Sequence, residues 1–214
     1  MESIRGKTAI VGIGEVPTGI YQERSFIEQA VAVGEMAIQD AGIAKEEIDT
    51  VIPIIAVANP VDNANLVCSW LVEEMGMGKT CKANFVCASG GSSSSNSLKT
   101  AMGMIASGLS RTVLVVHTDK LGTGLDMGAA IAQFAVVSMS QEYEIPYGFS
   151  QLALAGFLQQ RYMYDTGTTE RQIASVVETM RKWAALNPNA MLRELRTADD
   201  VLASKVISAP ETVV

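Results

Sequence analysis

Apolar and polar positions along the chain alternate between two kinds of run. Thr8-Ala-Ile-Val-Gly-Ile-Gly14 is short, apolar and closed by glycine, which predicts a buried strand. A helical pattern follows, with Phe26, Ala30, Val33, Ala37 and Ile38 on one face. Ser25 and Glu28 have capping-box spacing, and Gly42 sits where a left-handed C-terminal stop is expected. Ile48 to Val57 reads as the next strand, with Pro53 counting against a central, hydrogen-bonded place in a sheet. Leu66 to Met75 predicts a helix stopped by Gly76-Met77-Gly78, and Cys81 to Val86 a short strand. The run from Ala88 to Ser107 suits a helix only if burial holds it, because glycine and serine are poor helix formers. Arg111 to His117 is an almost unbroken aliphatic strand. Strands alternating with helices predict an α/β fold around a largely parallel sheet.

After Lys120 the pattern changes. Gly122, Gly124 and Gly128 lie in a small-residue stretch that runs to about Tyr147, and helices then follow without strands between them. Phe149 to Asp165 is one, stopped by Gly167; the next starts from Thr169 as N-cap and runs to about Leu186, where Asn187-Pro188-Asn189 breaks it. Thr197 to Ala203 predicts a short helical turn. Residues 1–119 therefore read as the alternating domain and 120–204 as a helical insertion.

Composition narrows the chemistry. The 214 residues carry 16 basic and 23 acidic side chains, a formal charge of −7, so no basic excess exists to neutralise nucleic-acid phosphates. No stretch reaches the roughly 18 apolar residues that predict a membrane span, and the polar start, Met1 to Lys7, does not read as a signal peptide. The three cysteines, 68, 81 and 87, lack CxxC spacing, which speaks against a disulfide framework or a zinc ribbon and makes a reducing cytoplasm the expectation. No cluster has metal-ligand spacing.

Two phosphate-binding patterns fail. Gly12-Ile13-Gly14 follows a strand, but Pro17 stands where the third glycine of a dinucleotide fingerprint belongs. Gly78-Lys79-Thr80 has Glu73 in place of the first P-loop glycine and follows a helix. The single histidine, His117, closes a strand and reads as a structural residue. The serine run Ser92 to Ser95 is too short for a linker.

Cys87-Ala88-Ser89-Gly90-Gly91 remains, between a strand and a helix. Unpaired N–H groups at a helix start favour a thiolate and can stabilise an oxyanion as sulfur attacks a carbonyl. Small neighbours admit a thioester. A cysteine merely packed beneath a helix is the alternative. Cys68 and Cys81 read as structural.

The sequence resembles the N-terminal half of a thiolase, nearest the sterol-carrier-protein type. The resemblance covers nearly the whole chain. It rests on Ala9-Ile-Val-Gly-Ile-Gly-Glu-Val-Pro-Thr18, Val86-Cys-Ala-Ser-Gly-Gly91, Gln160-Arg-Tyr-Met163, Ala184-Ala-Leu-Asn-Pro-Asn-Ala190 and Asp199-Asp-Val-Leu-Ala-Ser-Lys205, in that order. It implies a βαβαβαββ half with a helical loop domain inserted, and a return of residues 205–214 toward the sheet. It also implies Cys87 as the nucleophile that takes an acyl group from a 3-ketoacyl-CoA, with coenzyme A as substrate and no tightly bound cofactor. Arg181, Lys182, Arg193 and Arg196 are candidates for the CoA phosphates, an ordinary solvated helix face being the alternative. The resemblance further implies a homodimer through the 81–86 strand.

The family's second half supplies the histidine that activates the cysteine, a second cysteine and further oxyanion contacts, and none of these matches a residue of this sequence. Three expectations follow: an acyltransferase completed by another chain, a non-catalytic acyl-CoA-binding or scaffold subunit, or an inactive truncated product.

Overall fold

The computed structural model describes residues 4–54, 66–120 and 127–206. The chain divides into two compact units, residues 1–16 with 20–124, and residues 17–19 with 125–214.

The first unit is built on helix α1 (Phe26–Ala41), and local chemistry fixes both of its ends. Ser25 Oγ accepts the Glu28 N–H at 3.2 Å, and a Glu28 carboxylate oxygen accepts the Ser25 N–H at 2.6 Å. That backbone N–H, seconded by the Ser25 hydroxyl and by Arg24 and Lys120, holds the Glu28 carboxyl below its ordinary range. Gly42 ends the helix at φ +65°.

Three parallel strands follow, β1 (Thr50–Ile54), β2 (Ala83–Asn84) and β3 (Val113–His117), in the order β2-β1-β3. Helix α2 (Val67–Glu74) lies between β1 and β2 in sequence, and α3 (Ser93–Ala106) between β2 and β3. Val51, Leu114 and Val116 face a core shared with Ile27, Ile38, Leu71 and Met75 from the helices. At the strands' N-terminal end, an Asp49 carboxylate oxygen accepts the Arg111 N–H at 3.0 Å, and the Thr50 and Ser110 hydroxyls meet at 2.6 Å.

Three expectations need correction. Thr8 to Gly14 is not a buried strand: it pairs with no strand among the described residues, and Ile10 and Ile13 are each 73% exposed. It lies along α1 instead. A Cβ on Gly12 would stand 2.3 Å from the Ala37 carbonyl oxygen, and one on Gly14 2.1 Å from that of Val33. The glycines thus mark a close approach to helix backbone, and Ile13 N–H donates to Asp40 Oδ2 at 2.9 Å. Gly14→Ala is expected to lift this segment from α1 and to destabilise the chain by about 1–3 kcal/mol, read as a lower denaturation midpoint.

Pro53 does occupy the central strand. Val51 offers its carbonyl toward β2, where Phe85 N–H donates to it at 3.4 Å. Pro53, two residues on, faces the same way, and β2 has ended at Asn84, so the missing N–H interrupts no ladder. The strand expected over Cys81 to Val86 has only Ala83 and Asn84 in the ladder. The end of the Ile48–Val57 reading, Gly122, Gly124 and the segment 207–214 lie outside the described residues.

The second unit is helical. Helix α4 (Met127–Ser138) occupies part of the small-residue stretch and was not predicted, because nothing there caps or breaks a helix distinctly. Helix α5 (Gln151–Thr166) starts from Ser150 and ends at Gly167 with φ +71°. Helix α6 (Glu170–Leu186) starts from a Thr169–Gln172 capping box, and α7 (Ala198–Leu202) from a Thr197–Asp200 one. Ala174, Ala198 and Val201 form a small core between α6 and α7. Glu178 reinforces it by accepting the Ala198 N–H at 2.9 Å. Among the described residues, no helix is long and apolar enough to cross a membrane.

Candidate active site

Beyond Asn84 the chain leaves the sheet edge, and Cys87 follows, half-buried. Cys87-Ala88-Ser89-Gly90-Gly91 then turns into α3, with Gly90 at φ +59°, a conformation that glycine adopts freely. Side chains from α3 fix this turn. Ser93 Oγ accepts the Ser89 N–H at 2.9 Å and donates to the Gly90 carbonyl at 2.7 Å. Ser92 Oγ donates to the Ser89 carbonyl at 2.8 Å, and Asn96 Nδ2 donates to Ser89 Oγ at 2.7 Å. Sequence reasoning missed this network, and the serine run was its visible signal.

The helix is not buried as the sequence reading required. It starts at Ser93, not Ala88, and only Ser93, Ser97 and Ala101 are buried, on the side packed against β1 and β3. Leu98 and Met102, on the other side, are exposed. The fully buried Ser97 hydroxyl has no hydrogen-bond partner among the described residues.

His117 ends β3, exposed, with Nδ1 3.4 Å from Ser94 Oγ on α3. Parallel register pairs Asn84, Val51 and Leu114. On β2 that register ends at Asn84, three residues before Cys87, and among the described residues no hydrogen bond joins Cys87 to His117.

The other two thiols lie on α2 and at the start of the segment leading into β2. Cys68 is buried on α2 beside Phe26 and Val67, and burial pushes its thiol up. Cys81 donates to the Ala83 carbonyl at 3.2 Å, and burial, partly offset by that bond, pushes it up as well. Neither favours a thiolate at neutral pH. Gly78-Lys79-Thr80 forms the turn after α2, with the Thr80 and Cys81 N–H groups donating to the Met77 carbonyl.

The four basic candidates belong to the second unit, Cys87 to the first. Arg181 donates to the Leu192 carbonyl at 3.1 Å, which joins α6 to the segment carrying Arg193. Lys182 is paired with Glu178 at 2.7 Å and Arg196 with Glu194 at 2.8 Å. Arg181 is half-buried; Lys182, Arg193 and Arg196 are exposed, so the two pairs are weak and can exchange for another anion. Among the described residues no group of three His, Cys, Asp or Glu side chains could hold a metal ion.

A parallel sheet, a cysteine at a strand-to-helix turn and a helical unit define an α/β protein with an added helical unit. Known proteins agree. No family model matches the chain. It is 29% identical over 204 residues to the acetyl-CoA acetyltransferase of Methanocaldococcus jannaschii, covering 94% of this chain and 50% of that protein. The acetyl-CoA acetyltransferase of Methanothermobacter thermautotrophicus is 26% identical, with 94% and 51% covered. A steroid side-chain-cleaving aldolase of Thermomonospora curvata is 26% identical over 195 residues, with 89% and 48% covered. Among solved structures, the Ltp2-ChsH2(DUF35) aldolase matches with a TM-score of 0.75 at 23% identity, over 96% of this chain and 50% of that one. A monomeric SCP2-thiolase-like protein type 1 from Mycobacterium smegmatis matches at 0.61 and 19% identity, over 92% and 39%. The two structures establish the fold. The chain is similar to thiolase-type acetyl-CoA acetyltransferases and has a thiolase-like fold, and it spans about half the length of the curated relatives it matches.

Proposed function

We propose that the chain is the nucleophile-bearing half of a thiolase-type acyltransferase. The observation that carries this is Cys87 itself, half-buried on a turn clamped by side chains, between sheet and helix in a thiolase-like fold. Cys87 sulfur attacks the 3-keto carbon of a 3-ketoacyl-CoA. The bond between C2 and C3 breaks, its electron pair leaves on C2 as the acetyl-CoA enolate, and a proton is added there. The acyl group stays on Cys87 until the thiolate of a second CoA takes it. Run backward, the sequence is a Claisen condensation. The covalent intermediate divides one difficult cleavage into two acyl transfers.

The thiol proton needs a base. His117 is engaged by Ser94 and makes no bond to Cys87, which supports a base from a complementing chain that carries the family's second half. The exposed Leu98 and Met102 of α3 suit such a partner, since exposed apolar faces mark interaction surfaces. In this reading residues 1–119 form the catalytic half, 120–204 the loop domain, and 205–214 return toward the sheet. Arg181, Lys182, Arg193 and Arg196 meet the CoA phosphates, and the free edge at 81–86 pairs two copies. Coenzyme A is a substrate, no cofactor is held tightly, and the setting is the cytoplasm.

Incubating the purified chain with acetyl-CoA, followed by intact mass measurement and peptide mapping, tests the proposal. A single acetyl adduct on Cys87 is the expected result. The aldolases among the relatives favour a second reading, in which the same fold carries no acyl-cysteine and serves another carbon–carbon cleavage or a scaffold. Absence of the adduct, both alone and with a second-half chain added, would select it.

A further inference from the structure

The serine run Ser92 to Ser95 has no part in the chemistry above, and its hydrogen bonds give it one. Serine is a preferred N-cap, its hydroxyl accepting an N–H of the first turn. Yet Ser92, in the N-cap position of α3, makes no such bond. The hydroxyls reach back into the preceding turn instead: Ser92 to the Ser89 carbonyl, and Ser93 to the Gly90 carbonyl and the Ser89 N–H. Asn96, one turn along, holds the Ser89 hydroxyl. Ser93 is only 7% exposed, so water does not readily replace its two bonds. Ser89 and Gly90 lie two and three residues after Cys87, and the path between them decides where the sulfur stands.

We infer that Ser93, supported by Asn96, is a positioning residue for Cys87. It clamps residues 89–90 so that the sulfur is held before a helix start whose N–H groups no side chain caps. An ordinary serine cap would occupy a donor that an oxyanion requires. The clamp satisfies the turn, whose Ser89 and Gly90 carbonyls also accept the Ser92 and Ser93 N–H groups, and leaves the next N–H groups of α3 without a side-chain cap. This inference rests on the acyl-cysteine reading for its chemical purpose, but the clamp has readouts of its own.

Ser93→Ala removes both bonds, Ser93→Thr keeps the hydroxyl, and Asn96→Ala removes the support. Three rates are measured on each purified chain: acylation by acetyl-CoA, alkylation of Cys87 by iodoacetamide, and hydrogen exchange at the Ser89 amide. Acylation needs an oriented sulfur, whereas alkylation needs only an accessible one. Ser93→Ala is expected to slow acylation by about tenfold to a hundredfold, to leave alkylation nearly unchanged, and to speed Ser89 exchange. Ser93→Thr restores all three, and Asn96→Ala moves them the same way by less. Equal losses of acylation and alkylation would show a merely structural role and overturn the inference, as would unchanged Ser89 exchange in Ser93→Ala. A parent chain that takes no acyl group, both alone and with a second-half chain added, refutes the acyl-cysteine reading and, with it, the positioning role. The Ser89 exchange rates then report only whether the clamp exists.

Discussion

Replacing Cys87 with alanine is expected to abolish acyl transfer while the fold remains. In the proposed reaction the loss is complete and not graded, because the sulfur would form the covalent bond and no neighbour can substitute. Of the other thiols, Cys68 is buried on α2 beside Phe26 and Val67, and Cys81 is tied to the Ala83 carbonyl. Burial makes both poor thiolates. The fold survives because Cys87 is half-buried and belongs to none of the three apolar clusters. Trimming a side chain outside the core changes stability by about 0.5 kcal/mol or less. Intact mass after incubation with acetyl-CoA, beside a circular dichroism melt, checks both halves of the statement. An adduct retained in Cys87→Ala would refute the nucleophile assignment.

What the sequence reveals of this fold depends on how local the controlling interaction is. The Ser25–Glu28 box and Gly42 delimit α1 from within a few residues, and Thr169, Gly167 and Thr197 do the same for their helices. Periodicity then gives the buried face. Thr8 to Gly14 defeats this approach, because an apolar run states that burial is wanted but not what supplies it. Its glycines answer to the Val33 and Ala37 carbonyls, more than 15 residues away. Pro53 misleads for a related reason: proline is excluded by a ladder bond, and whether one exists depends on where a different strand stops. At the site, Cys87 is legible from its place between strand and helix. The clamp is not, since four serines in sequence give no indication of whether they cap a helix or brace the turn before it. The Glu178–Lys182 pair is legible as an i, i+4 spacing, but the Arg181 bond to the Leu192 carbonyl needs the fold.

Leu71→Ala is the substitution expected to weaken the chain most. Leu71 is fully buried on α2 in the cluster that includes Ile48, Val51, Met75 and Met77. Removing its side chain forfeits the transfer free energy of the lost carbons and leaves a cavity that close-packed neighbours fill only in part. The two effects together amount to about 2–5 kcal/mol, a large share of the roughly 5–15 kcal/mol that separates folded from unfolded domains. A urea titration should show a much lower midpoint with an unchanged slope. Leu98→Ala is the informative control. Leu98 is 41% exposed on the outer face of α3, and truncating it in the lone chain should cost about 0.5 kcal/mol or less. The substitution should matter only when a complementing chain covers that face, and then through weaker association. If Leu98→Ala instead costs the lone chain as much as Leu71→Ala, the outer face of α3 is already covered in solution. A second copy of the chain would then stand where the proposal places a catalytic partner, and the concentration dependence of the midpoint would show it.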